Sequence, residues 1–312
     1  MSKIISDIFH HLTRKDWLCT PDNQLRGYIQ PQFLKELWFH TGTICNLSCP
    51  FCLEGSKPGD DRLNKIAFSE AKVFMDEAMT LGVERFSFTG GEPFVVKDTV
   101  RILEYALERR PCLVLTNATN PLKMRLNEIK PFKQKLHPLS FRVSFDYPDP
   151  RRHDAGRGEG NFYLSLQTLK ELFDAGFNVS IARRREKEED VEGVDLLYRK
   201  FFKQAGVPED IRIVSFPDFL KPGEIARVPQ ITEDCMTRYH TEEGRAAFMC
   251  NFSKMVIKRG GVMKVTACTL VDDDPDYDLG TTLTESMKYR VMLKHHRCYS
   301  CFAHGASCSE MK

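Results

Sequence analysis

The sequence lacks an excess of either charge. Lys and Arg number 45 against 43 Asp and Glu in 312 residues, so nothing electrostatic favours nucleic acid or an anionic membrane as partner. No apolar run approaches the ~18 residues of a membrane span. The opening stretch MSKIISDIFHHLTRKDW has no signal-peptide core. Solenoid repeats and low-complexity tracts are also missing. These absences predict a cytoplasmic globular protein, long enough for one large α/β domain and a small appendage. What the chain does have is cysteine, 11 in all. In a reducing compartment metal binding explains so many thiols better than disulfides do.

Periodicity divides the chain into three parts. Residues 1–34 form an extension with one amphipathic helix, marked by Ile4, Ile5, Ile8, Phe9 and Leu12. Residues 35–220 alternate strands and helices. Strands are predicted at 37–41, 85–89, 112–116, 141–145, 177–182 and 211–216, with helices over 70–81, 99–108, 161–175 and about 193–204. Ser69 is the expected N-cap of the first of these helices. Six βα units predict an α/β fold, a partial (β/α)6 TIM-type barrel, with a doubly wound open sheet as the alternative. The mixed-charge run RRREKEED at 183–190 reads as a solvated loop. After a Pro- and Gly-bearing linker at 217–234, residues 235–312 form a small Cys-rich module with a β-hairpin.

The segment CNLSCPFC places Cys45, Cys49 and Cys52 in one tight loop after the first strand. Thiolates suit zinc and iron–sulfur clusters. Structural zinc wants four protein ligands, whereas three cysteines can anchor a [4Fe–4S] cube and leave one iron open. With Phe51 before the last cysteine, the loop resembles the C-x3-C-x-aromatic-C signature of the radical S-adenosylmethionine (radical SAM) enzymes. FTGGEP at 88–93, beginning its glycine pair 38 residues after Cys52, resembles their glycine-rich motif. There Gly90 and Gly91 would let backbone carbonyls approach the ammonium of S-adenosylmethionine, and Glu92 would add attraction. The stretch VSFDYPDPRRHDAGRGEGNF resembles a further family segment. It implies that Ser144 binds the ribose or carboxylate of the cofactor and that Arg157 pairs with its carboxylate. Tyr147 stands where the family usually has glycine.

Six cysteines lie beyond the linker: Cys235, Cys250, Cys268, Cys298, Cys301 and Cys308. Cys250 and Cys268 flank two alternating runs joined by Gly-Gly, a hairpin that brings its ends together, and CYSC adds Cys298 and Cys301. Four such thiols hold either tetrahedral zinc or a second [4Fe–4S] cluster. With LGTTLTESM at 279–287, the pattern resembles the SPASM auxiliary-cluster module or its shorter twitch form. Two complete auxiliary clusters are not expected, and Cys308 rivals Cys298 and Cys301 as the fourth ligand. Cys19 and Cys112 are expected as buried thiols, Trp38 as core, and His295 and His296 as solvated polar residues.

The resemblance implies a radical SAM oxidoreductase that cleaves S-adenosylmethionine to a 5′-deoxyadenosyl radical and takes a hydrogen atom from its substrate. The auxiliary cluster would accept an electron, as in dehydrogenation of a sugar or cyclitol alcohol. Ribosomal-peptide maturation, by thioether or carbon–carbon crosslinking or by epimerisation, is the alternative. A non-catalytic iron–sulfur electron carrier is the alternative of another class. Cys235 or Cys308 would be the thiol hydrogen donor of an epimerase. The expected partners are a small-molecule or peptide substrate and a flavodoxin- or ferredoxin-type reductant, with no nucleic acid and no membrane. No residue in the sequence identifies a general base.

Overall fold

The computed structural model describes residues 14–186, 188–217, 224–305 and 309. The predicted N-terminal helix positions Ile4 to Leu12, and Cys308, lie outside the described residues. The chain divides into two units. One takes in Met1–Trp38, Val73–Glu84 and Gly223–Lys312, the other Phe39–Lys72 and Arg85–Pro222. No helix among the described residues is long and apolar enough to cross a membrane.

The second unit is an α/β layer structure. Strand β2 (Glu36–His40) leads into it, β1 being Tyr28–Ile29 of the other unit. Then come β3 (Arg85–Thr89), β4 (Cys112–Thr116), β5 (Leu139–Ser144), β6 (Asn178–Arg185) and β7 (Arg212–Pro217). From β3 to β7 each strand pairs in parallel with the next, as Val114 with Phe141 and Val143 with Ile181 show. A doubly wound sheet would reverse its strand order at a switch point. The sequential order here is that of a partial barrel, and it settles the choice between the two. The strands are buried on both faces, so RFSFT and CLVLT read as continuous apolar runs rather than alternating ones.

The crossover helices start where their caps allow. Helix α2 (Phe68–Thr80) follows α1 (Lys15–Leu18), and from Val73 onward it belongs to the first unit. The Asp98 carboxylate accepts from Phe68 N at 2.8 Å and Glu70 accepts from Ala67 N, so Ser69 lies inside the first turn rather than at the cap. Helices α3 (Thr99–Leu107), α4 (Asn120–Ile129), α5 (Pro150–Arg157), α6 (Asn161–Asp174) and α7 (Val191–Ala205) complete the layer. The expected loop at 183–190 is corrected at its start: Arg183–Arg185 continue β6, and the described residues from 186 to 190 are loop and turn. Arg183 belongs to β6 and is fully buried, because Glu189 and Asp195 pair with its guanidinium.

The first unit gathers α1, the short antiparallel pair β1–β10 (Val291–Met292) and the C-terminal segment. Trp17 meets the edge of Tyr277 at 5.1 Å in an apolar cluster with Ile29, Leu279 and Val291. Helices α8 (Glu233–Tyr239), α9 (Glu242–Ala246) and α10 (Met249–Phe252) lead to the hairpin β8 (Ser253–Arg259) and β9 (Val262–Thr266). Gly260 and Gly261 turn it at φ +58° and +78°, the two positive values that a type I′ turn requires. Helix α11 (Leu283–Ser286) starts on the Glu77 carboxylate, which accepts from the N–H groups of Leu283 and Thr284. Helix α12 (Cys298–His304) closes the segment.

Candidate functional site

The three-cysteine loop is fixed by backbone. Thr41 N and Oγ1 both donate to the Thr89 carbonyl, Gly91 N donates to Gly42 O at 2.8 Å, and Glu92 N to Ile44 O at 3.0 Å. Two chain segments therefore lie against each other at the ends of β2 and β3. A Cβ on Gly91 would stand 2.2 Å from Ile44 O, and Gly90 takes φ +144° against Thr41. Neither position tolerates a side chain, so the glycine pair is spent on docking the cysteine loop. Cys45 is buried, Cys49 and Cys52 are half-buried, and Cys52 N donates to Cys49 O at 3.1 Å. Burial pushes the Cys45 thiol up to about 11, with Glu92 and the other two cysteines adding to it. Burial raises Cys49 too, against the pull of Arg157.

Glu92 is the hub beneath this loop. Its fully buried carboxylate accepts from Phe94 N at 3.2 Å, Asn117 N at 2.8 Å and the Thr116 hydroxyl at 2.9 Å. Burial still drives its pKa up to about 7, the two backbone donors notwithstanding. Through Asn117 the hub reaches the cysteines, since Asn117 Nδ2 donates to Asn46 Oδ1 at 3.0 Å and to Cys45 Sγ at 3.8 Å. Both Glu92 oxygens are thus engaged inside the protein, one of them by Asn117 N.

At the end of β5, Ser144 is half-buried opposite Ala182. Arg157 donates through Nε to Asp146 and lies 5.8 Å from the Phe51 ring centroid, with Arg184 at 4.5 Å. Burial works against the Arg157 charge, but Asp146 and Cys49 outweigh it and the pKa rises. A cofactor carboxylate at Arg157 would share the guanidinium with Asp146. Gly156 lets Phe51 approach, because a Cβ there would sit 2.3 Å from the ring. At the position of the family's usual glycine, Tyr147 lies under the Arg152 guanidinium at 4.2 Å.

In the other unit, Cys250, Cys268, Cys298 and Cys301 line one narrow, mainly apolar cavity. The hairpin brings the first two together, and α12 presents the other two one turn apart. Cys268 Sγ accepts from Leu270 N at 3.4 Å, and the Tyr277 hydroxyl lies 3.7 Å from Cys298 Sγ. Burial pushes Cys250 up to about 12 and Cys298 up to about 11, and raises Cys268 as well. Three of the four thiols are thus held neutral beside a mainly apolar space, and they would give up their protons to a metal centre bound there. Among the described residues no group of three or more His, Cys, Asp or Glu side chains is placed to hold a single metal ion. Cys235 is not in the cavity lining and takes a contact from Thr232 Oγ1 at 3.2 Å.

Residues 39–194 match the family described as the Radical SAM superfamily. The chain belongs to that superfamily. Its members hold a [4Fe–4S] cluster and S-adenosylmethionine. Over 140 residues the chain is 34% identical to the antilisterial bacteriocin subtilosin biosynthesis protein AlbA of Bacillus subtilis, covering 44% of this chain and 30% of AlbA. Over 137 residues it is 30% identical to the GTP 3′,8-cyclase of Mannheimia succiniciproducens, covering 43% of this chain and 40% of that one. The alignments thus span less than half the length of these two curated relatives. The crystal structure of Streptococcus suis SuiB bound to precursor peptide SuiA superposes with a TM-score of 0.58 at 15% identity, covering 92% of this chain and 68% of SuiB. At that identity the likeness is one of fold.

Cys45, Cys49, Cys52 and the Gly90–Glu92 stretch lie together after the ends of β2 and β3. Thr116, Asn117 and Asp146 belong to the same constellation and were not among the predicted site residues. The local signal for Asn117 was its place directly after β4. His295 and His296, expected in solvent, instead stack on each other at 4.4 Å, and the largely buried His295 lies 3.5 Å from Asp273. Cys112 is buried as expected in β4, while Cys19 is only half-buried.

Proposed function

We propose that this radical SAM enzyme modifies a peptide. Cys45, Cys49 and Cys52 hold the catalytic [4Fe–4S] cluster, and Cys250, Cys268, Cys298 and Cys301 hold an auxiliary one. The observation that carries the peptide reading is the 34% identity to a bacteriocin biosynthesis protein. The fold likeness to SuiB, which extends over 92% of this chain, supports it. Alcohol dehydrogenation rests on spacing in the C-terminal segment alone and is the weaker reading. A [4Fe–4S] cluster held there with S-adenosylmethionine would supply one-electron chemistry for hydrogen-atom abstraction from the substrate. The protein's own part is placement. Glu92 and Asn117 fix the loop, Asp146 orients Arg157 toward the cofactor side, and Phe51 with Gly156 closes the space beside the last cysteine. A flavodoxin or ferredoxin is the matching reductant.

The test is anaerobic incubation of the reconstituted enzyme with S-adenosylmethionine, a reductant and each short peptide that its neighbouring genes encode. Mass spectrometry then reads the peptide. Crosslinking makes it lighter by two hydrogen atoms, and epimerisation leaves the mass unchanged but incorporates solvent deuterium. For an epimerase, C235A would stop the reaction and leave cluster content intact. Turnover of S-adenosylmethionine with an unaltered peptide would refute the peptide reading.

A further inference from the structure

Lys254, on β8, is fully buried, an unusual place for an ammonium group. Its Nζ donates to the carbonyls of Cys250 at 2.9 Å and Ser253 at 3.1 Å. Burial pushes its pKa down to about 8, and the neighbouring Cys250 and Cys268, two of the four cavity cysteines, work against that shift. A second cation, Arg297, lines the cavity itself and is 5% exposed. Its Nη1 reaches Leu270 O at 3.0 Å and Asp273 at 3.4 Å, while its Nε and Nη2 atoms are buried without a hydrogen-bond partner. Burying an uncompensated cation is costly, and an anion beside it repays the cost.

We propose that Lys254, assisted by Arg297, is the counter-charge of the auxiliary cluster and holds its reduction potential high enough for it to accept electrons. The inference rests on the reading that the four cysteines carry a [4Fe–4S] cluster. Such a cluster on four thiolates is an anion, and reduction adds one electron and one further negative charge. A cation fixed in a dry site stabilises the reduced form more than the oxidised one. Asp273 shares the Arg297 charge, so Lys254 contributes more. The catalytic loop is built differently. Its cation, Arg157, is neutralised by Asp146, and Glu92 is buried beneath it.

The experiment uses the full chain carrying C45A/C49A/C52A, so that the auxiliary cluster alone contributes. Iron and sulfide are counted, and the midpoint is read by potentiometric titration with EPR detection. K254Q keeps a donor for the two carbonyls and removes the charge. At the parent's midpoint its reduced-to-oxidised ratio should fall about tenfold, equal to about 59 mV toward negative potential for one electron. K254R should stay near the parent, and R297Q should shift in the same direction by less. A fully loaded K254Q with an unmoved midpoint overturns the proposal, as does a K254R shift as large as that of K254Q. If K254Q does not load, R297Q decides, and a midpoint at or above the parent's refutes the counter-charge. Absence of iron in the parent background would instead refute the four-cysteine reading itself.

Discussion

Replacing Glu92 by Gln separates the two roles of the buried carboxyl. Its oxygens accept from two backbone N–H groups and one hydroxyl. The Thr116 hydroxyl can turn to accept from a Gln amide, but one backbone N–H must face the new NH2 group and lose its acceptor. An unpaired buried donor costs about 1–3 kcal/mol. Against this stands the charge. A carboxyl at about 7 in the fold and at its ordinary 4.5 when unfolded stabilises the fold only while protonated. That contribution is complete below 4.5 and is lost as the pH climbs through 7, a fall of about 2–3 kcal/mol between pH 5 and pH 8. Gln does not titrate. E92Q should therefore be less stable than wild type by about 1–3 kcal/mol at pH 5 and should match or exceed it at pH 8. Urea unfolding of the cluster-free chain, followed by far-UV circular dichroism at the two pH values, reads the difference. An equal gap at both would show that Glu92 carries no raised pKa and would refute the hub as described.

Three other outcomes follow from the geometry. G156A drives a methyl into the Phe51 ring and should cost about 1–3 kcal/mol in thermal stability, with lower iron content at the catalytic loop than wild type. N117A removes the donor to Cys45 and Asn46, so EPR titration should find the catalytic cluster's midpoint more negative while the auxiliary one stays put. The raised thiols Cys45, Cys250 and Cys298 stabilise the cluster-free fold fully below about 9, and that stability drains as pH rises toward 11 to 12. Thermal melts of the cluster-free protein should fall steeply across that window, and those of the iron-loaded protein should not, since its thiolates are already bound.

Much of this architecture is visible in the residues alone. Strands such as Cys112–Thr116 are doubly buried and so appear as unbroken apolar runs, and Gly260-Gly261 marks the hairpin by a turn that only such residues adopt readily. What stays hidden is polar structure that tertiary pairing pulls inside. Helix α5 has almost no apolar face, and its start is set by Asp149 accepting from Arg152 N with Pro150 in the first turn. Arg183 reads as surface charge until Glu189 and Asp195 are brought to it across a turn and a helix. Lys254 falls in a strand buried on both faces, where alternation gives no warning of a charged side chain. The engagement of Glu92 with Thr116 and Asn117 joins the ends of two strands, a relation that spacing along the chain does not encode.

The central claim is that the Cys45, Cys49 and Cys52 loop presents an open iron to S-adenosylmethionine. Its most direct measurement is 5′-deoxyadenosine release from the anaerobically reconstituted protein with dithionite and S-adenosylmethionine. The account predicts release by wild type and its loss in C45A, C49A and C52A alike, with the auxiliary iron retained in all three. Undiminished release from any of these variants would contradict it.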